Sequence, residues 1–398
     1  MILFVSAHFP PEPVTAATLC HDLAIAMSEK WKVTVITPRP SRPFGFSFEK
    51  RSTDNGKYEH LILKSFTCPK STIVGRMLES YSFGKHTANY IKQKHAEIKC
   101  IYVLAWPLLA QYLIVKASRK YSIPSVTHIM DIYPESLINR LPLLKRLIFT
   151  FLLPIDKYIQ QNSSKVITIS SGMKNMLAKT RELDSCKVEI VYTWQNDSIF
   201  LNYRKSPEKR QFNSCFTFMF LGSLSTAAAI EVIIFAYKIS GLKNTRLIIA
   251  GNGSEKVNLI ALTRNCENLT IEFWDAPLRK VPEIQDQADV LILSLKKNTS
   301  HFAMPSKLPA YMFSKKPIIA CAEEESDIAL AIKQANCGWV VLPEDKDSLA
   351  HAMIDAISRT KQELLFYGEN GFDYAVKNYS KEKNLNKLVS IIMEASEA

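Results

Sequence analysis

The chain has 398 residues, 47% apolar and 22% charged, enough to bury two cores and unlike a disordered or collagenous composition. Its formal net charge of +12 is uneven: residues 1–204 carry 27 Lys/Arg against 15 Asp/Glu, whereas residues 205–398 carry 23 of each. Eight scattered cysteines, with no CxxC or Cys/His cluster, exclude a zinc-finger or disulfide-scaffold reading and fit a reducing compartment.

The chain opens on a strand, ILFVSA at residues 2–7, with no basic n-region or cleavage site, so no signal peptide is expected. The loop HFPPEPV (8–14), a helix over 15–29 and a strand over 32–37 complete a βαβ unit. Residues 1–44 contain no glycine, so the G-x-G-x-x-G of a dehydrogenase is absent. Residues 38–72 are polar and Pro-rich and read as irregular. Helices follow over 73–94 and 107–121, strands over 100–105 and 124–129, the latter running into MDIYPES. A strand over 165–169, a helix over 173–180 and a strand over 188–191 end this half, and residues 202–214 read as a linker.

The second half repeats the pattern. A strand over 216–221 leads through GSLSTAA into a helix over 228–240, and a strand over 246–250 leads through GNGSE into another helix. Strands over 270–273 and 289–294, a helix over 306–313 and the buried strand PIIACA (317–322) follow. A strand over 339–342 and helices over 346–358, 362–378 and 381–395 close the chain. Two βα repeats of similar size imply an α/β protein of two Rossmann-like doubly wound domains facing a cleft, with ligands beyond the strands' carboxyl ends.

Several residues could carry chemistry. Ser306 and Lys307 open a helix, where unpaired N–H groups, a hydroxyl and an ammonium suit a diphosphate; an ordinary Ser N-cap beside a solvated Lys is the simpler reading. Gly222-Ser223 and Asn252-Gly253 each follow a strand and precede a helix, a geometry that lets backbone approach phosphate, or merely turns the chain. The prolines of HFPPEP hold His8 and Glu12 at a strand's carboxyl end, as site residues or as a packed histidine and its neighbour. Asp131 of MDIYPES either faces the cleft or closes an Asx turn before Pro134. Asp345-Lys346-Asp347 has the form of a metal-binding DxD, but it precedes an amphipathic run, and Asp347 reads as a helix N-cap. RLPLLKRLIFTFLLPI (140–155) is either a core helix or a segment lying in an anionic membrane interface, and no apolar run reaches the roughly 18 residues of a span.

Taken together, SAHFPPEPVTAAT, MDIYPES, KVITISSGMKNML, FLGSLSTAAAIEVIIFA, LIIAGNGSE, DVLILSL and MPSKLPAYMFSKKPIIA resemble family 4 glycosyltransferases of the GT-B fold. The likeness covers nearly the whole chain and is nearest to bacterial O-antigen and capsule N-acetyl-L-fucosaminyltransferases. It implies a retaining, metal-independent transfer from a UDP-sugar to a polyprenyl-diphosphate-linked saccharide, with no cofactor beyond the nucleotide sugar. Residues 1–203 would form the acceptor domain, with the helix at about 380–398 packing back on it, and residues 204–379 the donor domain. Gly222, Ser223, Asn252, Gly253, Ser306 and Lys307 would line the diphosphate, with Trp274 near the base. His8 and Asp131 would serve the reacting sugar, and Glu12 would face the acceptor. The resemblance further implies a cytoplasmic protein held peripherally on the inner membrane.

Two departures bear on the site. Family members carry a Glu, seven residues, then Glu where this chain has Phe302 and Ala310, so ribose contacts must come from elsewhere, with Glu323 in the nearest acidic run. The bases that commonly follow the GSL glycine are missing from residues 225–229, which leaves Lys307 as the main cation. A UDP-sugar 2-epimerase of the same architecture and a non-catalytic glycan- or lipid-binding scaffold are the competing readings. Nucleic-acid binding has no motif behind it.

Overall fold

The computed structural model describes residues 1–12, 14–41, 57–68, 72–104, 107–138, 145–205, 215–264, 269–297 and 307–397. The chain divides into two compact units, Met1–Tyr192 with Glu382–Ala398, and Thr193–Lys381.

The first unit runs β1 (Ile2–Val5), α1 (Thr15–Ser28), β2 (Val33–Thr37), β3 (Glu59–Ile62), α2 (Ile73–Lys94), β4 (Cys100–Leu104), α3 (Leu108–Lys120), β5 (Ser125–Ile129), α4 (Glu135–Ile138), α5 (Lys145–Asn162), β6 (Lys165–Thr168), α6 (Ser171–Arg181) and β7 (Val188–Ile190). Its seven strands pair in the order β3-β2-β1-β4-β5-β6-β7, every pair parallel. ILFV, VTVIT, CIYVL and SVTHI are buried at every position, as parallel strands covered on both faces must be. β3 corrects the irregular reading of residues 38–72. EHLI has no apolar run to announce it; it becomes a strand by pairing with β2 at the sheet edge. Thr34 Oγ1 donates to Glu59 (3.0 Å), and Thr37 Oγ1 lies 2.9 Å from His60 Nε2.

The second unit runs α7 (Asp197–Lys205), β8 (Phe216–Leu221), α8 (Ile230–Ile239), β9 (Thr245–Ala250), α9 (Lys256–Thr263), β10 (Thr270–Trp274), α10 (Val281–Asp286), β11 (Val290–Ser294), α11 (Lys307–Phe313), β12 (Ile318–Cys321), α12 (Asp327–Ala335), β13 (Gly338–Val341), α13 (Lys346–Ser358) and α14 (Lys361–Tyr379). The six strands pair in parallel in the order β10-β9-β8-β11-β12-β13. One core joins α8 and α13 to the sheet through Ile233, Ile234, Tyr237, Leu349 and Met353.

The final helix α15 (Lys381–Glu397) belongs from Glu382 to the first unit, where buried Asn384 accepts from Tyr192 N (3.0 Å). Residues 202–205, read as linker, instead finish α7. Phe200 stacks on Phe313 at 5.9 Å, Tyr203 OH donates to Asp286 (3.3 Å) and Arg204 donates to Phe313 O (3.3 Å). These contacts draw the helix into the second unit, so the division falls between Tyr192 and Thr193 rather than at 203/204.

Each strand order reverses once, between β1 and β4 and between β8 and β11. Loops leaving the two central strands there diverge to opposite faces and open a crevice at the strands' carboxyl ends. His8 and Glu12 follow β1; Gly222 and Ser223 follow β8; Lys307 begins the first helix after β11.

Candidate functional site

In the second unit three loops interlock at that reversal. Gly222 N donates to Ala250 O (2.9 Å), Gly251 N to Trp274 O (2.9 Å) and Leu224 N to Asn252 O (2.9 Å). Gly251 has φ +136°, and a Cβ there would stand 2.0 Å from Gly222 O, so only glycine permits this approach. Asn252 Oδ1 accepts from Gly253 N (2.9 Å), and Glu255 N donates to Leu224 O (3.0 Å), which closes the GNGSE turn. Ser223, Asn252 and Gly253 are exposed.

α11 is pinned against the same loops. The buried Tyr311 hydroxyl accepts from Leu221 N (2.8 Å) and donates to Leu221 O (2.9 Å), fastening the helix to the end of β8. One turn earlier Lys307 lies along Gly222, so closely that a Cβ on that glycine would fall 2.2 Å from Lys307 Cε. The ammonium sits 4.4 Å above the centroid of the Phe220 ring. Among the described residues no carboxylate pairs with Lys307, and burial pulls its pKa from 10.5 to about 8. A partly buried cation beside two glycine loops is arranged to receive an anion. Ser306 lies outside the described residues, and the helix expected from there begins at Lys307.

Trp274 ends β10 beside this rim. Its indole N–H donates to Glu272 (2.8 Å), and the Arg246 guanidinium stands 5.7 Å from the ring centroid. Glu323, with Val232, Phe235, Lys297 and Leu342, lines a cavity of about 540 Å³. Ala310, at a Glu position of the resembled family, is buried in α11. Asp345, not Asp347, is the N-cap of α13: it accepts from Asp347 N (3.1 Å), Ser348 N (3.0 Å) and Ser348 Oγ (2.6 Å). Two residues earlier than expected, it reaches both first-turn N–H groups, while Asp347 lies within that turn. Among the described residues no three His, Cys, Asp or Glu side chains are grouped to hold a metal ion.

In the first unit the structure joins His8 and Glu12. His8 Nδ1 lies 2.5 Å from a Glu12 carboxylate oxygen, and the other oxygen accepts from Ser41 N (2.8 Å). Glu12 is only 5% exposed, whereas His8 is partly open to solvent. Ser6 Oγ donates to His8 O (2.6 Å), fixing the backbone. The carboxylate thereby orients the imidazole.

Asp131 is exposed just beyond β5, on a segment held from beneath by residues that a reading along the chain missed. Arg181, 0% exposed, donates to both oxygens of Glu135 (2.5 and 2.7 Å), to Asp156 (2.8 Å) and to Tyr133 O (2.7 Å). Gln160 adds a 2.6 Å bond to Asp156, whose pKa burial raises to about 6 against the pull of Arg181. Glu135 is legible within MDIYPES, but its partner is 46 positions away. Only the fold brings them together.

Residues 215–359 match the family model described as "Glycosyl transferases group 1". No curated protein matches the sequence. Among solved structures, HepE from Anabaena in complex with UDP is 13% identical and has a TM-score of 0.71, with 99% of each chain covered. A glycosyltransferase from Rickettsia africae is 15% identical with a TM-score of 0.72, over 99% of this chain and 98% of that one. WaaG, a glycosyltransferase involved in lipopolysaccharide biosynthesis, is 15% identical with a TM-score of 0.65, over 98% and 99%. At such identities the likeness establishes the fold. The chain is thus a GT-B protein of two parallel-sheet Rossmann-like units, whose second unit carries the sequence pattern of the group 1 glycosyl transferases.

Proposed function

We propose that this protein is a retaining, metal-independent glycosyltransferase that moves a sugar from a UDP-sugar to a lipid-linked saccharide. The observation that carries the donor reading is Lys307, a desolvated cation with no described carboxylate partner, packed on Gly222 at the reversal of the second sheet. The group 1 family match over the same unit supports it, as does the UDP bound by HepE. Lys307, with the N–H groups of the Gly222-Ser223 and Asn252-Gly253 loops, binds the diphosphate, and Trp274 borders the base. Acceptor binding falls to the basic first unit.

In the reaction the bond from the sugar's anomeric carbon to the diphosphate oxygen breaks while the acceptor oxygen bonds the same face. The departing phosphate oxygen can take the acceptor's proton, so no strong base is required. Lys307 stabilises the charge that develops on the diphosphate. His8, oriented by Glu12, and Asp131 hold the sugar and acceptor hydroxyls. We assign the donor sugar as N-acetyl-L-fucosamine and the setting as O-antigen or capsule assembly at the cytoplasmic face of the inner membrane, on family likeness alone.

Thermal stability against UDP, GDP, ADP and UDP-sugars, with and without divalent metal, tests this, because a ligand of the folded state raises the midpoint. A UDP-selective, metal-independent rise is expected. No rise with any nucleotide would remove the donor site. Binding without transfer to any lipid-linked acceptor would favour the scaffold reading.

A further inference from the structure

Helix α8 is apolar on its outer side as well as its inner one. Its sequence, IEVIIFAYKI, is aliphatic or aromatic at every position except Glu231 and Lys238. A helix of that composition is ordinarily covered all round. Val232, Ile233, Ile234, Ala236 and Tyr237 do pack into the core of the second unit, yet Phe235 and Ile239 stand 42% and 47% exposed. Glu231, Phe235, Lys238 and Ile239 fall at i, i+4, i+7 and i+8 and so share one outward stripe. The helix cannot roll to hide it. α9 and α13 both pack against α8, and Tyr237 OH lies 2.9 Å from Thr245 Oγ1 on β9.

The two ends of this stripe carry opposite charge. At its start, Val232 and Phe235 wall the cavity of about 540 Å³, whose lining holds four carboxylates against two lysines, and Glu231 adds a further carboxylate from α8 itself. At its end, Lys238 and Lys243 are exposed, and residues 238–244 contain no acid. A surface with an apolar middle, an acidic end and a basic end is complementary to itself when reversed. An anionic partner, by contrast, would meet the carboxylates around the cavity. Residues 205–398 carry 23 charges of each sign, so two second units approach without net repulsion.

We propose that two copies of this chain associate through α8, laid antiparallel about a two-fold axis between residues 234 and 235. Phe235 packs on the partner's Phe235, Glu231 faces the partner's Lys238, and the partner's Ile239 covers the mouth of the cavity. Symmetry makes each of these contacts twice. The proposal goes beyond the donor reading and does not rest on it.

Sedimentation velocity of the full chain across micromolar concentrations tests the interface. The wild type is expected to dimerise, and Lys238→Glu and Glu231→Lys should each weaken association about tenfold or more. An equimolar mixture of the two variants should regain it, because the facing charges are then opposite again at both ends. Phe235→Ser should also weaken association at an unchanged melting midpoint, and it is read alone if a charge variant folds poorly. The UDP-induced rise in midpoint should be the same in every variant, so the dimer and the donor site can fail separately. A monomeric wild type, which would leave the stripe to a different partner, would overturn the proposal. So would a dimer that all three variants retain, or a mixture that associates no more tightly than its components.

Discussion

Lys307 Cε occupies the space into which a side chain on Gly222 would project, 2.2 Å from that missing Cβ. The glycine and the lysine therefore form one device: the bare backbone lets the cation cross the loop, and the cation fills what the glycine leaves.

Gly222→Ala is expected to weaken UDP binding by at least tenfold. It would also cost about 1–3 kcal/mol of stability, since φ of +156° and the lysine stem both oppose a Cβ. The UDP-induced rise in melting midpoint and urea unfolding without ligand read the two effects. A variant that binds UDP normally would uncouple the loop from the cation.

The lowered pKa of Lys307 makes a signed pH prediction. Below about 8 the folded protein holds the ammonium, and above about 8 it sheds the proton that the unfolded chain keeps until 10.5. UDP affinity should fall as pH rises through about 8, and the ligand-free protein's stability should gain over the window from about 8 to 10.5. Lys307→Met should abolish the pH-dependence of binding, weaken UDP sharply and stabilise the ligand-free fold near pH 7, because a desolvated charge is removed. Calorimetric titration across pH, with unfolding curves of both proteins, checks all three.

Arg181→Met leaves Glu135 and Asp156 buried without their shared cation. A loss of about 3–5 kcal/mol is expected in urea unfolding, with the Asp131 segment loosened first in hydrogen exchange. A loss under about 1 kcal/mol would show that the guanidinium does not hold that loop.

His128 is buried with Nδ1 2.7 Å from Tyr102 OH, and burial lowers its pKa from 6.5 to about 4. Its folded form stays neutral where the unfolded chain is protonated, so stability present above 6.5 is lost as pH falls toward about 4. The loss should be roughly 3 kcal/mol in all. His128→Asn should flatten this part of the acid-unfolding profile.

The sequence by itself determined the architecture. Continuous apolar runs such as CIYVL and VLILS, spaced by helical patterns, have few solutions other than covered parallel strands. It also marked the loops after β1, β8 and β9, because glycines and prolines at strand ends reveal backbone demands locally. β3 escaped because an edge strand is made by its neighbour, and α7 because its partners, Asp286 and Phe313, lie far along the chain. The pairing of His8 with Glu12 was within reach at a spacing of four, yet its hydrogen bond depends on how the proline loop turns. That Lys307 leans on Gly222 and that Arg181 gathers Glu135 and Asp156 were decided only in three dimensions. Each depends on a distance between segments far apart in sequence, and local pattern carries no record of such distances.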